Sequence, residues 1–168
     1  MSGEQPWLIR PLRQADLPRY RPLRLEALRQ HPEAFGSSFE EEQDGDMARM
    51  IGEPPNLTLG GEVAGELLGT AGLVVPQKLK QRHKGHIVGV YVAPSVRRSG
   101  LAAALLDRLI QHARVSGLVV LTLSVTVGNT AAMRLYRRAG FGVYGTEPLS
   151  LRIGAEFRDE ALMALRLR

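Results

Sequence analysis

The sequence of 168 residues contains no cysteine. This absence excludes disulfide bonds, thiol nucleophiles and cysteine-ligated zinc sites, and it is consistent with a reducing compartment. No apolar run reaches the roughly 20 residues that a membrane-spanning helix requires, and residues 1–10 show no apolar segment behind a basic start. We therefore expect a cytoplasmic protein with no membrane partner.

Aromatic residues are also scarce, at 5% of the chain. They offer few rings for stacking on bases, although the formal net charge of +5 would suit a partner that carries phosphate groups. Because the basic residues are scattered along the sequence, we interpret the charge as a solvated surface and expect no nucleic acid partner. An anionic small molecule is equally compatible with it. His83 and His86 have no carboxylate or third histidine nearby in sequence, so no metal site is expected.

Hydrophobic residues make up 44% of the chain, which is enough for the core of one domain spanning residues 1–168. After a β-like run near the N-terminus comes a helical pattern that Asp16 is expected to cap and Pro22 to restart. A second, short helical patch is predicted around residues 47–51. Two strands joined by a glycine-containing turn at residues 63–65 then indicate a β-hairpin.

The centre of the chain alternates between strand and helix patterns. The β-branched run of residues 85–94 has Gly89 in its interior, which favours a bulge or a close backbone approach. An amphipathic helix follows over residues 100–116. Residues 118–125 are a near-continuous apolar strand, as expected when both faces of a parallel sheet are covered. Together these segments predict a βαβ unit.

The last third of the chain adds one helix and two strands. The helix begins near Asn129 and ends at Gly140, since glycine is a common C-terminal stop. The strands are predicted at residues 142–150 and 160–168, with a turn at the segment "GAEF" between them. The order of all elements predicts the α/β class, with a single mixed sheet.

The stretch "VAPSVRRSGL" joins the Gly89 strand to the next helix. Such a turn leaves backbone N–H groups unpaired at the positive end of the helix dipole, which is a site that binds phosphate. Arg97 and Arg98 would add charge, and Gly100 allows a ligand to approach closely. The alternative is an ordinary connection with two solvated arginines. The sequence has neither G-x-x-x-x-G-K-[ST] nor G-x-G-x-x-G after a strand, so P-loop and Rossmann sites are not supported.

The segment "VGVYVAPSVRRSGLAAALL" resembles the acetyl-CoA-binding segment of the GCN5-related N-acetyltransferase (GNAT) superfamily. The family pattern is Arg or Gln, two residues, Gly, one residue, then Gly or Ala, here Arg97, Gly100 and Ala102. The segment "NTAAMRLYRRAGF" is similar to the second family signature, an Asn followed by a helix that bears a Tyr and ends in Gly-Phe. Here these are Asn129, Tyr136, Gly140 and Phe141. Members commonly carry Gly where this chain has Arg98 and Ala102.

The resemblance implies a largely antiparallel mixed sheet around the βαβ unit, with helices on both faces. It also implies acetyl-CoA as co-substrate, with its pyrophosphate on the amides of residues 97–103 and its pantetheine arm along residues 90–92. The arm would enter where the Gly89 strand and the 118–125 strand splay apart. The implied contacts are Val90, Tyr91, Val92, Arg97, Arg98, Ser99, Gly100, Leu101, Ala102, Ala103 and Asn129.

The implied reaction is direct transfer of the acetyl group to a primary amine of a small molecule or peptide, because a cysteine acyl-enzyme is excluded. Tyr136 is the implied general acid for the leaving thiolate. Reference pKa values of about 10 for tyrosine and about 8.5 for a thiol make full proton transfer uphill by about 2 kcal/mol. Tyr136 would therefore assist as the C–S bond breaks, or act as a hydrogen-bond donor. For the general base, His86, Glu40, Glu41 and a water chain stay open.

The acceptor is expected beside the segment that follows the first helix. Residues 32–46 carry six acidic residues and no lysine or arginine. The resemblance places them at the acceptor cleft, where Phe35 and Phe39 could form walls and Glu40 and Glu41 could attract a cationic amine. The alternative is a solvated acidic helix start. A non-catalytic CoA-binding module is the second hypothesis for the whole chain, and a homodimer is left open.

Overall fold

A computed structural model describes residues 6–168. Residues 1–5, which belong to the N-terminal stretch discussed in the sequence analysis, lie outside the described residues. The strands are β1 (Trp7–Pro11), β2 (Leu57–Val63), β3 (Glu66–Val74), β4 (Lys84–Val92), β5 (Val120–Thr126), β6 (Gly142–Ile153) and β7 (Glu156–Arg166). The helices are α1 (Leu17–Gln30), α2 (Phe39–Gln43), α3 (Leu101–Val115) and α4 (Thr130–Arg138).

All seven strands form one sheet in the order β1-β2-β3-β4-β5-β7-β6. Five of the six neighbouring pairs are antiparallel, and β4 with β5 is the parallel pair. Helix α3 makes the crossover between these two parallel strands, as a βαβ connection requires. The predicted mixed, largely antiparallel sheet and its central βαβ unit are confirmed.

Helices cover both faces of the sheet. One face carries α3 and α4, whose buried residues pack with apolar residues of β3, β4, β5 and β7. The amphipathic pattern of α3 explains this, since Leu105, Leu106 and Leu109 lie on one side and are fully buried. The other face carries α1, which buries Tyr20 and Leu23 against β3 and the end of β4.

The start of α1 differs from the sequence prediction in two respects. The helix runs through Pro22 without a restart, because this proline removes only one bond near the helix start and the buried residues beyond it hold the helix on the sheet. Asp16 precedes α1, but its carboxylate does not cap that helix. Its oxygens accept hydrogen bonds from the Arg10 guanidinium at 2.7 and 2.9 Å and from the Arg13 amide at 2.8 Å.

The predicted patch at residues 47–51 is a short 3-10 turn, Met47–Met50. The α-helical turn lies earlier, at Phe39–Gln43, where Ser38 and Glu41 form a capping box. Strands β6 and β7 also extend further than predicted. Gly154, with a φ of +62°, allows a hairpin turn of only two residues, so Glu156 and Phe157 of the predicted turn belong to β7.

Candidate active site

Strands β4 and β5 separate partway along their length. Their pairing runs from Lys84 opposite Val120 to His86 opposite Thr122 and ends there. Beyond this point β4 stays paired with β3 up to Val92, and β5 stays paired with β7 up to Thr126. The result is an opening in the middle of the sheet, on the side toward the N-terminus of α3.

A bulge in β4 lies at this opening. Gly89 and Val90 together stand opposite one residue of β3, and Gly89 has a φ of +61°, which glycine adopts without the strain that a side chain would add. The extra residue turns the following side chains, so that Val90 packs toward α3 and Tyr91 packs toward α1. The bulge that Gly89 favours in the sequence is present.

The first turn of α3 exposes a row of backbone amides. The first intrahelical bond is donated by the Ala104 amide to the Gly100 carbonyl at 3.0 Å. The amides of residues 100–103 therefore have no partner within the helix, although the Leu101 amide lies 3.3 Å from the Ser99 hydroxyl. Arg98 and Gly100 both have positive φ, at +60° and +92°.

Leu101 anchors this turn to the sheet. Its methyl groups occupy space that a Cβ at Gly61 or Gly69 would require, at 2.7 and 2.9 Å. The side chain is 1% exposed. Two glycines on β2 and β3 thus allow the start of α3 to lie close to the sheet, which fixes the amide row relative to the opening.

The polar side chains around the amide row have partners elsewhere. The Arg97 guanidinium lies 2.8 Å from Nε2 of His31 at the end of α1. The Tyr91 hydroxyl donates to Glu26 at 2.8 Å, and burial together with this carboxylate raises the pKa of Tyr91 to about 12. Asn129 caps α4 by accepting from the Ala132 amide at 3.2 Å. Three of the side chains predicted from the sequence to contact acetyl-CoA thus make contacts within the fold.

Tyr136 lies on the buried side of α4. Its ring packs edge-on against Phe141 at a centroid distance of 6.1 Å, in the same apolar cluster as Val90. Burial raises the pKa of Tyr136 to about 12, so the hydroxyl stays protonated at neutral pH. Within residues 6–168 this hydroxyl makes no hydrogen bond, so it is available to a ligand.

His86 occupies the last paired position before the opening. Its Nδ1 contacts the Thr122 hydroxyl. Burial, with a smaller contribution from Lys84, lowers the pKa of His86. The imidazole is therefore neutral at pH 7 and has a nitrogen that can accept a proton.

A buried ion pair closes the α1 side of the opening. Arg24 of α1 donates from Nε and Nη2 to Glu42 of α2, at 2.8 and 2.7 Å. The guanidinium lies over the Phe35 ring at 5.0 Å, and its Nη1 lies 3.6 Å from the position of a Cβ on Gly89. Burial lowers the pKa of Arg24, but the hydrogen bonds to Glu42 together with the charges of Tyr20 and Glu42 raise that pKa overall.

The sequence analysis missed Arg24. A signal was present, because Arg24 follows Tyr20 by four residues and precedes Ala27 by three, on the apolar side of α1. A charged residue at that spacing must find a buried partner or a ligand.

The four residues predicted for the acceptor do not form one cluster. Phe35 contacts Arg24 beside the opening. Phe39 packs under the exposed Arg29 at 4.4 Å. Glu40 is exposed, and Glu41 serves the capping box, where the Ser38 amide lowers its pKa.

In the part of the chain that the structure describes, no three side chains of His, Cys, Asp or Glu are grouped so that they could hold a metal ion. No helix among residues 6–168 is long and apolar enough to cross a membrane.

Comparisons with known proteins agree with the geometry. A family model described as Acetyltransferase (GNAT) family matches residues 21–141. L-methionine sulfoximine/L-methionine sulfone acetyltransferase of Pseudomonas aeruginosa is 40% identical over 68 residues, which are 40% of this chain and 38% of that protein. Mycothiol acetyltransferase of Propionibacterium freudenreichii is 32% identical over 117 residues, which are 70% of this chain and 37% of that protein. The matches thus cover less than two fifths of these relatives.

A solved structure is similar over nearly the whole chain. It is a putative acetyltransferase from Salmonella typhimurium with its cofactor acetyl-CoA, and it has a TM-score of 0.82 and 26% identity. The similarity covers 96% of this chain and 94% of that one. Since the family model spans residues 21–141, well over half of the 168 residues, the chain belongs to the GNAT family of acetyltransferases.

Proposed function

We propose that the protein is an acetyl-CoA-dependent N-acetyltransferase whose single domain spans residues 1–168. It transfers the acetyl group directly to a primary amine of a small molecule or peptide. One observation supports this proposal: the β4 bulge at Gly89 and the first turn of α3 follow the point where β4 and β5 separate, and Tyr136 belongs to the apolar cluster against which Val90 packs.

The amide row of α3 binds the pyrophosphate of acetyl-CoA in this proposal. Free N–H groups and the positive end of the helix dipole favour an anion at this position. The pantetheine arm lies along residues 90–92, whose backbone borders the opening. Arg97 and Arg98 are exposed and contribute positive charge, and in this proposal Ser99 and Asn129 also contact the co-substrate. A similar solved structure that contains acetyl-CoA supports the choice of co-substrate.

Direct transfer requires an amine nitrogen to attack the thioester carbonyl carbon and the C–S bond to break. The Tyr136 hydroxyl donates a hydrogen bond to the sulfur as negative charge develops there. A pKa of about 12 lies about 3.5 units above that of a free thiol, so full proton transfer from Tyr136 to the released thiolate is uphill by about 5 kcal/mol. Tyr136 therefore acts as a hydrogen-bond donor that stabilises the leaving thiolate and keeps its proton.

The attacking amine must lose a proton. His86 suits this role because its pKa is lowered and because it lies at the base of the opening. A water chain is the alternative, and Glu40 and Glu41 stay candidates by chemistry alone. His86→Gln would shift the low-pH side of the plot of rate against pH only if His86 is the general base for the amine.

The acceptor enters from the α1 and α2 side, where Phe35 forms a wall and Phe39, Glu40 and Glu41 lie further out. The relatives include acetyltransferases named for L-methionine sulfoximine and for mycothiol, so the family alone does not define the acceptor.

Thiol release from acetyl-CoA across amines, amino acids and peptides tests the proposal. We expect release with at least one class of amine and its loss in Tyr136→Phe. A non-catalytic CoA-binding module would bind acetyl-CoA but release no thiol with any acceptor, and Tyr136→Phe would change nothing.

A further inference from the structure

A buried guanidinium with an unused edge lies beside the β4 bulge. The Arg24 side chain is 8% exposed, and Glu42 accepts from its Nε and Nη2. A guanidinium has five N–H hydrogens, so three stay uncommitted: both on Nη1 and one on Nη2. No group within residues 6–168 accepts a hydrogen bond from Nη1. Among the described residues, the Thr70 hydroxyl is the side-chain polar atom that is fully buried without a partner, so Nη1 of Arg24 is accessible to solvent. An accessible N–H edge on an otherwise buried guanidinium is a candidate ligand contact.

This edge faces the opening between β4 and β5. Nη1 lies 3.6 Å from the position of a Cβ on Gly89, and a glycine there leaves that space empty. Glu42 holds one edge of the guanidinium, and the Phe35 ring covers one face at 5.0 Å. The free edge is therefore fixed in orientation before a ligand arrives, which lowers the entropy cost of binding.

The geometry of the free edge selects the ligand. The Nη1 and Nη2 hydrogens form a planar fork that matches the two oxygens of a carboxylate. We propose that Arg24 binds a carboxylate of the acceptor, and that the acceptor is an amine with this carboxylate close to the reacting nitrogen, such as an α-amino acid. This inference rests on the proposed acetyl transfer. In an α-amino acid the nitrogen lies about 2.5 Å from the carboxylate carbon, so a carboxylate on Arg24 brings the nitrogen to the bulge.

Glu42 influences which acceptors the Arg24 guanidinium binds. Its charge offsets that of Arg24, so recognition depends on the fork of hydrogen bonds more than on net charge. Removing the Glu42 charge should therefore strengthen carboxylate binding. This expectation is opposite to the attraction of cationic amines that the acidic segment suggests, and one panel of acceptors distinguishes the two.

The experiment uses acceptors in matched triples. L-leucine is compared with L-leucinamide and 3-methylbutylamine, each other proteinogenic amino acid is treated likewise, and spermidine represents cationic amines. For the wild type we expect kcat/KM for the amino acid to exceed that for its amide and its decarboxylated amine by at least about tenfold, as for a hydrogen bond to a charged group. Arg24→Lys should remove this preference and leave the Kd for acetyl-CoA unchanged. Arg29→Lys is the matched control, because Arg29 also stacks on a phenylalanine but is exposed.

Two further measurements, the kinetics of a Glu42 variant and a calorimetric titration, separate the inference about Arg24 from the proposed acetyl transfer. Glu42→Gln should lower KM for the amino acid several-fold, which tests the inference even if Arg24→Lys fails to fold. Calorimetric titration of CoA-loaded protein with the amino acids reports binding without turnover. Binding that needs Arg24 without thiol release would refute acetyl transfer and keep the carboxylate site. Thiol release with no preference for carboxylates, a preference for spermidine, or no amino acid binding would overturn the inference about Arg24.

Discussion

Acetyl-CoA should stabilise the folded protein, and Gly100→Val should abolish that effect. A ligand at about 100 times its Kd stabilises the native state by about 2.7 kcal/mol. For a chain of this size each kcal/mol raises Tm by roughly 2–4 °C, so we expect a shift of roughly 5–11 °C. Gly100 has a φ of +92°, and a Cβ there would stand 3.4 Å from the Trp7 ring. A β-branched side chain disfavours this φ, so the amides of residues 100–103 would reorient.

Gly65→Val is the matched control for backbone strain. Gly65 has a similar φ of +82°, and its Cβ position is open, with no atom within 4 Å. Both variants should lose about 1–3 kcal/mol from strain, which lowers the Tm of the free protein by roughly 2–12 °C. Gly65 lies in the β2–β3 turn, so this variant should keep the full acetyl-CoA shift. Differential scanning fluorimetry of the three proteins over a range of acetyl-CoA concentrations provides the measurement. A full shift in Gly100→Val, or an equal loss in both variants, would refute the role of the amide row.

Three more results are expected. Tyr136→Phe should lower kcat by about 10²-fold and leave the Kd for acetyl-CoA unchanged. The Tm at pH 7 should also stay unchanged, because the hydroxyl has no hydrogen-bond partner among the described residues. Unchanged turnover would remove Tyr136 from the mechanism. Burial raises the pKa of Tyr136 to about 12, against about 10 in the unfolded chain, so ionisation of the unfolded chain lowers the free energy of unfolding by up to about 3 kcal/mol as pH rises from 10 to 12. Alkaline denaturation should therefore be shallower for Tyr136→Phe, and identical curves would contradict this. Arg98→Gly should raise Tm by roughly 2–4 °C, since it relieves a positive φ worth about 1 kcal/mol; an unchanged or lower Tm would show that Arg98 is not strained.

Much of the fold follows from local patterns in the sequence. The alternation of strands and the amphipathic pattern of α3 predict the βαβ unit, because each element shows its own buried side. The Gly89 bulge is also readable, since an isolated glycine weakens a regular strand and is typical of a bulge. Elements with weaker local signals were misplaced. The helical turn at Phe39–Gln43 depends on one capping box, and the continuation of α1 through Pro22 depends on packing against the sheet.

The two halves of the candidate site differ in how far apart their residues are in the sequence. The acetyl-CoA side is built from one continuous stretch, from the Gly89 bulge to the first turn of α3, so a short motif is sufficient to indicate it. The α1 side depends on a pair 18 residues apart, Arg24 and Glu42, in elements whose relative position is set by the sheet. Helical periodicity places Arg24 on the apolar side of α1, but no periodicity or motif identifies Glu42 as its partner. In the proposed site, changes at Arg24, Phe35 or Glu42 would therefore alter the choice of acceptor while the amide row and Tyr136 stay the same. Two relatives are named for different substrates, as such a separation would allow.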